Sequence, residues 1–502
     1  MKKIMAFLFL CICGLFVSCG EKMPDKKDTL VVAQGADARS MDPQKAIDSP
    51  SVRIYQQVYD ELIEKDVNLN IVPGLAESWE TKDPKTTVFH LRKGVKFHNG
   101  EPLTAEDVKF SLDRMKEQPT VSFLVTEIES VNVLDDYTVE VKTKNGFGPL
   151  LAHLSHPGAA ILNKKAVLES GDAYGQHPVG TGPFMFKEWV AGDKVVLEAN
   201  PDYYRGKSPI KDIVFKIVPE GTNRTIALET KEADIVYDVE PIDIDKIKEN
   251  KDLKFYIQPS LGNTYIGLNT RKKPFDSKEV RQAIAYCINV QDLIDVVFKN
   301  TATKANSPIG PLVPGYNKDS KSYEYNVEKA KELMKKAGYP DGFKTTIWIN
   351  NSNIRKDIAT IAQDQLRQIG IDMKIETLEW GAYLEGTARG EHDMFILGWV
   401  TVTGDADYGL FPLFHSSSHG RPGNRSFYTN PEVDKLLSFA RTSIDQNARF
   451  EAYKKVQDIV QEELPIITLV NQSQNVATQK DIENFPINPT GYYELYDVKF
   501  AK

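Results

Sequence analysis

The sequence predicts an α/β protein that is built from two or more lobes. Its length of 502 residues exceeds what one hydrophobic core serves, because single cores stop growing at about 250–300 residues. Helical patterns over 326–337 and 354–369 alternate with strand patterns over 212–218 and 371–375. Strand–helix alternation of this kind predicts mostly parallel sheets covered by helices.

Residues 1–18 are typical of a bacterial signal peptide. Two lysines precede an apolar segment over 4–17, which is too short to span a bilayer as a helix. Ser18-Cys19-Gly20 follows and resembles the lipobox of bacterial lipoproteins, with Phe16 in place of the usual Leu. This resemblance implies cleavage before Cys19 and a diacylglycerol on its thiol; the alternative is ordinary cleavage with an unmodified Cys19. Residues 19–28 are then the tether of a lipid-anchored body.

The body is predicted to begin with a strand over 29–33. Apolar spacing over 52–63 predicts a helix, and residues 87–92 have the pattern of a strand. Thr104 is expected to cap the next helix, with Asp107 three residues later as its capping-box partner.

Charge, cysteines and motifs exclude several classes of protein. The formal net charge of −8 argues against nucleic acid as a partner. Cys287 is the one cysteine of the body, in a predicted helix core, so a disulfide framework within the body is impossible. The chain has no nucleophile elbow, phosphate loop or zinc-protease helix, and we predict neither an enzyme nor a cofactor.

Several stretches together resemble one family, the extracytoplasmic solute-binding proteins of the peptide/nickel/opine ABC importers (family 5). The resemblance covers the whole mature chain, and the matches come in the family's order. The matching stretches are 72–80, 87–113, 178–184, 200–204, 265–269, 274–276, 280–284 and 335–340.

This resemblance implies the two-lobed periplasmic-binding-protein (Venus flytrap) fold, in which a ligand is enclosed between two α/β lobes. It also implies an extra subdomain in the first lobe and chain crossings near 267–272 and 478–482. The implied divisions are 29–268 for the first lobe, about 60–177 for its subdomain, 269–479 for the second lobe, and 480–502 for the return to the first.

A candidate site follows the apolar strand predicted over 394–397. An indole, hydroxyls and carboxylates at a strand end could hold a small polar molecule with an amine, although a surface loop closed by a core Trp has the same composition. Dipeptide receptors of the family carry Trp-x-x-Asp here, whereas this chain has Val402. Residues 401–414 resemble instead the glutathione-binding branch, with Tyr408 in place of its Trp.

The ligand that this branch implies has two carboxylates and one amine. Asp405 or Asp407 is expected to bind the amine, and Arg355 a carboxylate. The candidate ligand-binding residues are Trp399, Thr401, Thr403, Asp405, Asp407, Tyr408 and Arg355.

The resemblance also implies the partners. We expect a monomer, lipid-anchored on the extracytoplasmic side of the bacterial membrane, that delivers glutathione or a similar small peptide to an ABC permease. The alternatives are a general dipeptide or oligopeptide receptor, a nickel-chelate or haem receptor, and a secreted hydrolase that uses acidic residues. His415 and His419 are four residues apart and could share a helix face as metal ligands, but their surroundings predict a loop.

Overall fold

The computed structural model describes residues 27–501, so the predicted signal peptide and Cys19 lie outside the described residues. Up to the first long strand the elements are β1 (Thr29–Gln34), α1 (Ser49–Tyr55), β2 (Ile63–Lys65), β3 (Ile71–Pro73), β4 (Ala76–Asp83), β5 (Thr86–Leu91), α2 (Ala105–Glu117), β6 (Ile128–Asp135), β7 (Thr138–Thr143), α3 (Leu150–Leu154), α4 (Lys164–Ser170), β8 (Phe184–Val190), β9 (Lys194–Ala199), β10 (Asp212–Ile217), α5 (Gly221–Glu229), β11 (Ile235–Val236), α6 (Ile244–Glu249) and β12 (Leu253–Leu268). The elements that follow are α7 (Lys278–Cys287), α8 (Val290–Asp292), β13 (Thr303–Lys304), α9 (Val327–Lys336), β14 (Phe343–Asn350), α10 (Asn353–Leu366), β15 (Ile371–Leu378), α11 (Trp380–Arg389), β16 (Met394–Val400), α12 (Ala406–Phe414), α13 (Pro431–Thr442), α14 (Gln446–Glu463), β17 (Ile466–Gln479), β18 (Ile482–Glu483) and β19 (Lys499–Phe500).

Two long strands, β12 and β17, join the lobes. The first half of β12 pairs with the second half of β17, next to β11 of the first lobe, and the rest of β12 pairs with β16 of the second. The register between β12 and β17 shifts between Pro259 and Asn263. The lobes therefore meet near 259–263 and 471–473, several residues before the expected crossings. Polar residues, with Pro259 and Gly262, interrupt the apolar pattern of β12 at this point, and residues 471–475 of β17 are polar as well.

The main sheet has the order β15-β14-β16-β12-β17-β11-β1-β10-β9-β8, with β13 beside β17. Parallel pairs form around β14 in the second lobe and around β1 in the first. The remaining pairs are antiparallel, because β12 and β17 run in opposite directions and β8 to β10 are joined as hairpins. The expectation of mostly parallel sheets was therefore wrong, although the α/β class is confirmed.

The first lobe carries a further layer with its own core. Strands β4 to β7 form a separate antiparallel sheet in the order β4-β5-β7-β6. Its core takes residues from Leu62 to Ile161 and also Val402 and Tyr408 of the second lobe. This layer therefore packs against the segment in which the candidate site was expected.

Predictions that depend on neighbouring residues in the sequence are confirmed. Thr104 and Asp107 form the expected capping box at the start of α2. Cys287 is buried at the end of α7. No helix within residues 27–501 combines the length and the apolar character that crossing a membrane requires.

The helix predicted over 52–63 is wrong in its second half. Helix α1 ends at Tyr55, and Ile63 begins a strand. The reason is tertiary: the carbonyl oxygen of Val58 accepts a hydrogen bond from the Gly182 amide at 2.9 Å. A Cβ on Gly180 would lie 2.0 Å from that same oxygen, so this close approach requires glycine.

Candidate ligand-binding site

A cavity of about 390 Å³ lies between the two lobes. Four strands end at it, namely β1 and β11 in the first lobe and β14 and β16 in the second, and each belongs to a parallel pair. Residues that follow or end these strands line its wall, among them Gly35, Asp238, Asn350 and Trp399. Ligands of α/β proteins bind beyond the carboxyl ends of strands, and sites for small molecules measure about 300–1,000 Å³.

Trp399 and Tyr408 form one wall of the cavity. The Trp399 indole donates to the backbone oxygen of Tyr408 at 2.9 Å, and the ring centroids lie 5.2 Å apart. His156 accepts from the Gly158 amide through Nδ1, so its Nε2 carries the proton and donates to the Tyr408 hydroxyl at 2.9 Å. Burial holds the pKa of His156 well below its usual value, which keeps the ring neutral. The hydroxyl hydrogen of Tyr408 is therefore available to a ligand.

Arg355 lies in the first turn of α10 and lines the cavity. Its guanidinium donates to Asn350 Oδ1 at 2.5 Å and lies 5.4 Å from the Trp380 ring. It forms no ion pair with any described residue, and burial lowers its pKa. An unpaired guanidinium beside the N-terminus of a 14-residue helix is suited to a carboxylate.

The two aspartates expected to bind the amine do not line the cavity. Asp405 caps α12 by accepting from the Asp407 amide, and its carboxylate accepts from Arg449 at 2.7 and 2.8 Å. Asp407 is completely buried, 2.6 Å from Arg441 and 3.0 Å from His153 Nε2. Burial alone would raise the pKa of Asp407, but Arg441 and His153 hold it well below its usual value. Both carboxylates are thus engaged within the protein.

Thr401 and Thr403 are also buried and stay outside the lining. The Thr403 hydroxyl accepts from the Asp405 amide at 3.2 Å, so it shapes the turn into α12. Of the seven expected ligand-binding residues, the structure brings Trp399, Tyr408 and Arg355 to the cavity and leaves the other four behind its wall.

The sequence reasoning missed the acidic residues that line the cavity from the first lobe. Asp48 accepts from the Trp380 indole at 3.2 Å across the cleft, and the nearest guanidinium, of Arg39, is 3.8 Å away. Burial raises the pKa of Asp48. Burial also raises the pKa of Glu240 to about 7, because the guanidinium of Arg224 lies 4.0 Å away and offsets the burial only in part. No sequence signal marks either residue, because both precede short helical turns in otherwise ordinary segments.

The other two carboxylates of the lining are closely paired. Asp238 accepts from Arg53 at 2.6 and 2.9 Å. Glu385 accepts from Arg39 at 2.6 Å and also pairs with Arg421. Because Arg39 belongs to the first lobe and Glu385 to the second, this pair connects the lobes at the rim of the cavity.

The metal and hydrolase alternatives receive no geometric support. Residues 27–501 contain no group of three or more side chains placed to hold a metal ion. His415 accepts from Ser417, and His419 lies 2.9 Å from the backbone oxygen of Tyr428. An Asp405–Asp407 pair cannot act as acid and base while each carboxylate is held by arginine.

Comparisons with known proteins agree with this geometry. Residues 70–421 match the family described as bacterial extracellular solute-binding proteins, family 5 Middle. The chain is 34% identical over 476 residues to the glutathione-binding protein GsiB of Salmonella choleraesuis, covering 92% of this chain and 93% of the relative. It is 31% identical over 474 residues to the dipeptide-binding protein of Escherichia coli, with 88% of each chain covered. The structure of the periplasmic binding protein DppA from Helicobacter pylori with the peptide STSA superposes with a TM-score of 0.91 at 33% identity, over 95% of this chain and 99% of that one.

Proposed function

Because the chain belongs to family 5 of the bacterial extracellular solute-binding proteins, we propose that it captures glutathione or a similar small peptide for an ABC importer. The observation that carries this proposal is the cavity between the lobes, which presents an unpaired guanidinium from one lobe and weakly paired carboxylates from the other. A peptide with a free carboxylate and a free amine satisfies both, and in doing so bridges the lobes.

We assign the ends of the peptide as follows. A carboxylate binds Arg355 and the first amides of α10, where guanidinium and helix terminus attract the same charge. The ammonium group binds Asp48, whose carboxylate gains the close cation that Arg39 does not provide. Trp399 covers the peptide, and the Tyr408 hydroxyl donates to one of its carbonyls.

Glutathione is preferred over simple dipeptides for two reasons. Val402 stands where dipeptide receptors of the family place their amine-binding Asp, and glutathione-binding relatives match this chain along 92% of its length. A general peptide receptor is the second candidate, supported by the dipeptide-binding relative and by the peptide-bound neighbour.

The same proposal includes the place of the protein in the cell. Cleavage before Cys19 and lipidation of its thiol would anchor the body by its N-terminus on the extracytoplasmic side, as a monomer that meets its permease there. Ligand would favour the closed arrangement of the lobes, since it contacts both. Catalysis forms no part of this function.

Mass spectrometry of small molecules released from the purified lipid-free protein tests the proposal directly. We expect a peptide, and glutathione in particular. Calorimetry with glutathione and a dipeptide panel then measures affinity for the wild-type protein, for Asp48→Asn and for the exposed control Asp172→Asn.

Loss of the partner of a buried charge costs about 2–5 kcal/mol, so Asp48→Asn should weaken binding roughly 30-fold or more, while the control stays unchanged. Tight binding of dipeptides without binding of glutathione would favour the second candidate. Absence of binding by every peptide would contradict the proposed function.

A further inference from the structure

Arg425 is a second arginine of the cavity that lacks a counter-charge. It lies in the loop between α12 and α13, is 9% exposed, and lines the cavity. Its guanidinium donates to the backbone oxygen of Gly420 at 3.2 Å, and its Nε has no hydrogen-bond partner among the described residues. Nothing in the sequence patterns or in the proposed function uses this side chain.

Four of the other five arginines of the lining have a carboxylate oxygen within 4.0 Å. Six arginines and four carboxylates line the cavity, so the lining has two more positive than negative groups. Arg53 pairs closely with Asp238, and Arg421 pairs with Glu385. Arg39 shares Glu385 with Arg421 and has Asp48 3.8 Å away. Arg224 donates to three backbone oxygens and has a carboxylate at 4.0 Å. The excess therefore belongs to Arg355 and Arg425.

The surroundings of these two arginines are alike. The phenols of Tyr265 and Tyr383 are electrostatic neighbours of both guanidiniums. Burial lowers the pKa of each arginine, whereas Arg53, beside its carboxylate, has a raised pKa. A buried cation without a partner is costly, and a carboxylate is the group that best complements a guanidinium. Two negative charges are thus missing from this side of the cavity.

A peptide with a single carboxylate supplies only one of these charges. We propose that Arg425 binds a second carboxylate of the ligand, so that the cleft selects small peptides with two carboxylates over zwitterionic peptides with one. Arg425 is then a specificity-determining residue, and the ligand class is an anionic peptide such as glutathione. This inference rests on the proposed function and deepens it.

The test uses three probes that differ in one carboxylate. Reduced glutathione has both; its glycine ethyl ester lacks one, and 4-aminobutyryl-Cys-Gly lacks the other but keeps the amine. For the wild-type protein, calorimetry should show each analogue binding about 30-fold or more weakly than glutathione.

Arg425→Met should weaken glutathione by a similar factor. One of the two analogues lacks the carboxylate that Arg425 holds. The affinity of Arg425→Met for that analogue should equal the affinity of the wild-type protein for it. Arg425→Lys should recover part of the affinity for glutathione. The exposed Arg367→Met is the matched control and should behave as wild type.

The inference would be overturned if Arg425→Met bound glutathione as tightly as the wild-type protein. It would also be overturned if the variant bound both analogues more weakly than the wild-type protein does. If Arg425→Met does not fold, the measurements on the wild-type protein still test the inference. Equal affinity of the wild-type protein for glutathione and for both analogues would contradict selection of two carboxylates. A zwitterionic dipeptide that binds the wild-type protein as tightly as glutathione would remove this inference and leave the peptide receptor intact. Failure of all probes and all dipeptides to bind would instead remove the proposed function.

Discussion

Replacement of Asp407 by Asn should destabilise the protein and leave ligand affinity nearly unchanged. The carboxylate is completely buried, accepts from Arg441 at 2.6 and 3.2 Å, and lies 3.0 Å from His153. Arg441 also donates to the Phe123 backbone oxygen at 2.9 Å, which ties the second lobe to the extra layer of the first.

The magnitude follows from the loss of one member of a buried ion pair. Arg441 is almost fully buried, and its charge would remain without a counter-charge in the variant. Breaking a buried pair in this way costs about 3–5 kcal/mol. With a urea m-value of about 3 kcal/mol/M, the unfolding midpoint should fall by roughly 1–1.7 M.

Urea unfolding followed by tryptophan fluorescence measures this effect, and Asp172→Asn is an exposed control that should keep the wild-type midpoint. The double variant Asp407→Asn with Arg441→Met should recover part of the loss, because no buried charge is then left alone. A wild-type midpoint combined with lost glutathione binding would refute this reasoning and return Asp407 to the ligand.

Three further predictions concern the anchor, the lobes and acid stability. Cys19→Ala should move the protein from the membrane to the soluble fraction, and fatty acid that still attaches to the variant would contradict the lipobox assignment. Saturating glutathione should shorten the radius of gyration in small-angle scattering, since the ligand stabilises the closed lobes; an identical profile would argue against closure. Burial lowers the pKa of His98 to about 4, so the neutral ring stabilises the fold above pH 6.5 and this contribution, about 3 kcal/mol, is lost as pH falls from 6.5 through 4. The melting temperature of His98→Gln should therefore fall less steeply than that of the wild-type protein over this range.

Local patterns predicted only some of the individual elements. The capping box at Thr104, the strand predicted over 394–397 and the helix predicted over 354–369 all depend on residues close in sequence, and the structure has the strand and the helix with slightly different ends. Helix α12 escaped prediction because Gly409 and Pro412 lie within it, and burial of all nine of its residues removes any amphipathic signal.

The candidate site was predicted only in part. Trp399, Tyr408 and Arg355 follow strand ends or begin a helix, and such positions lie at the cleft of an α/β protein. Asp405 and Asp407 have the composition of a ligand-binding loop, but Arg449 and Arg441 reach them from helices more than 30 residues away.

The sequence by itself determined the class of the fold, the family and the strand ends that form the cleft, because these depend on periodicity and on motifs in fixed order. Only the tertiary structure decided which charges face the ligand. A carboxylate is free to bind a ligand only if no cation of the protein has reached it first, and that depends on contacts between distant parts of the chain. Asp407 is held by Arg441, whereas Asp48, Arg355 and Arg425 remain without a close partner of opposite charge.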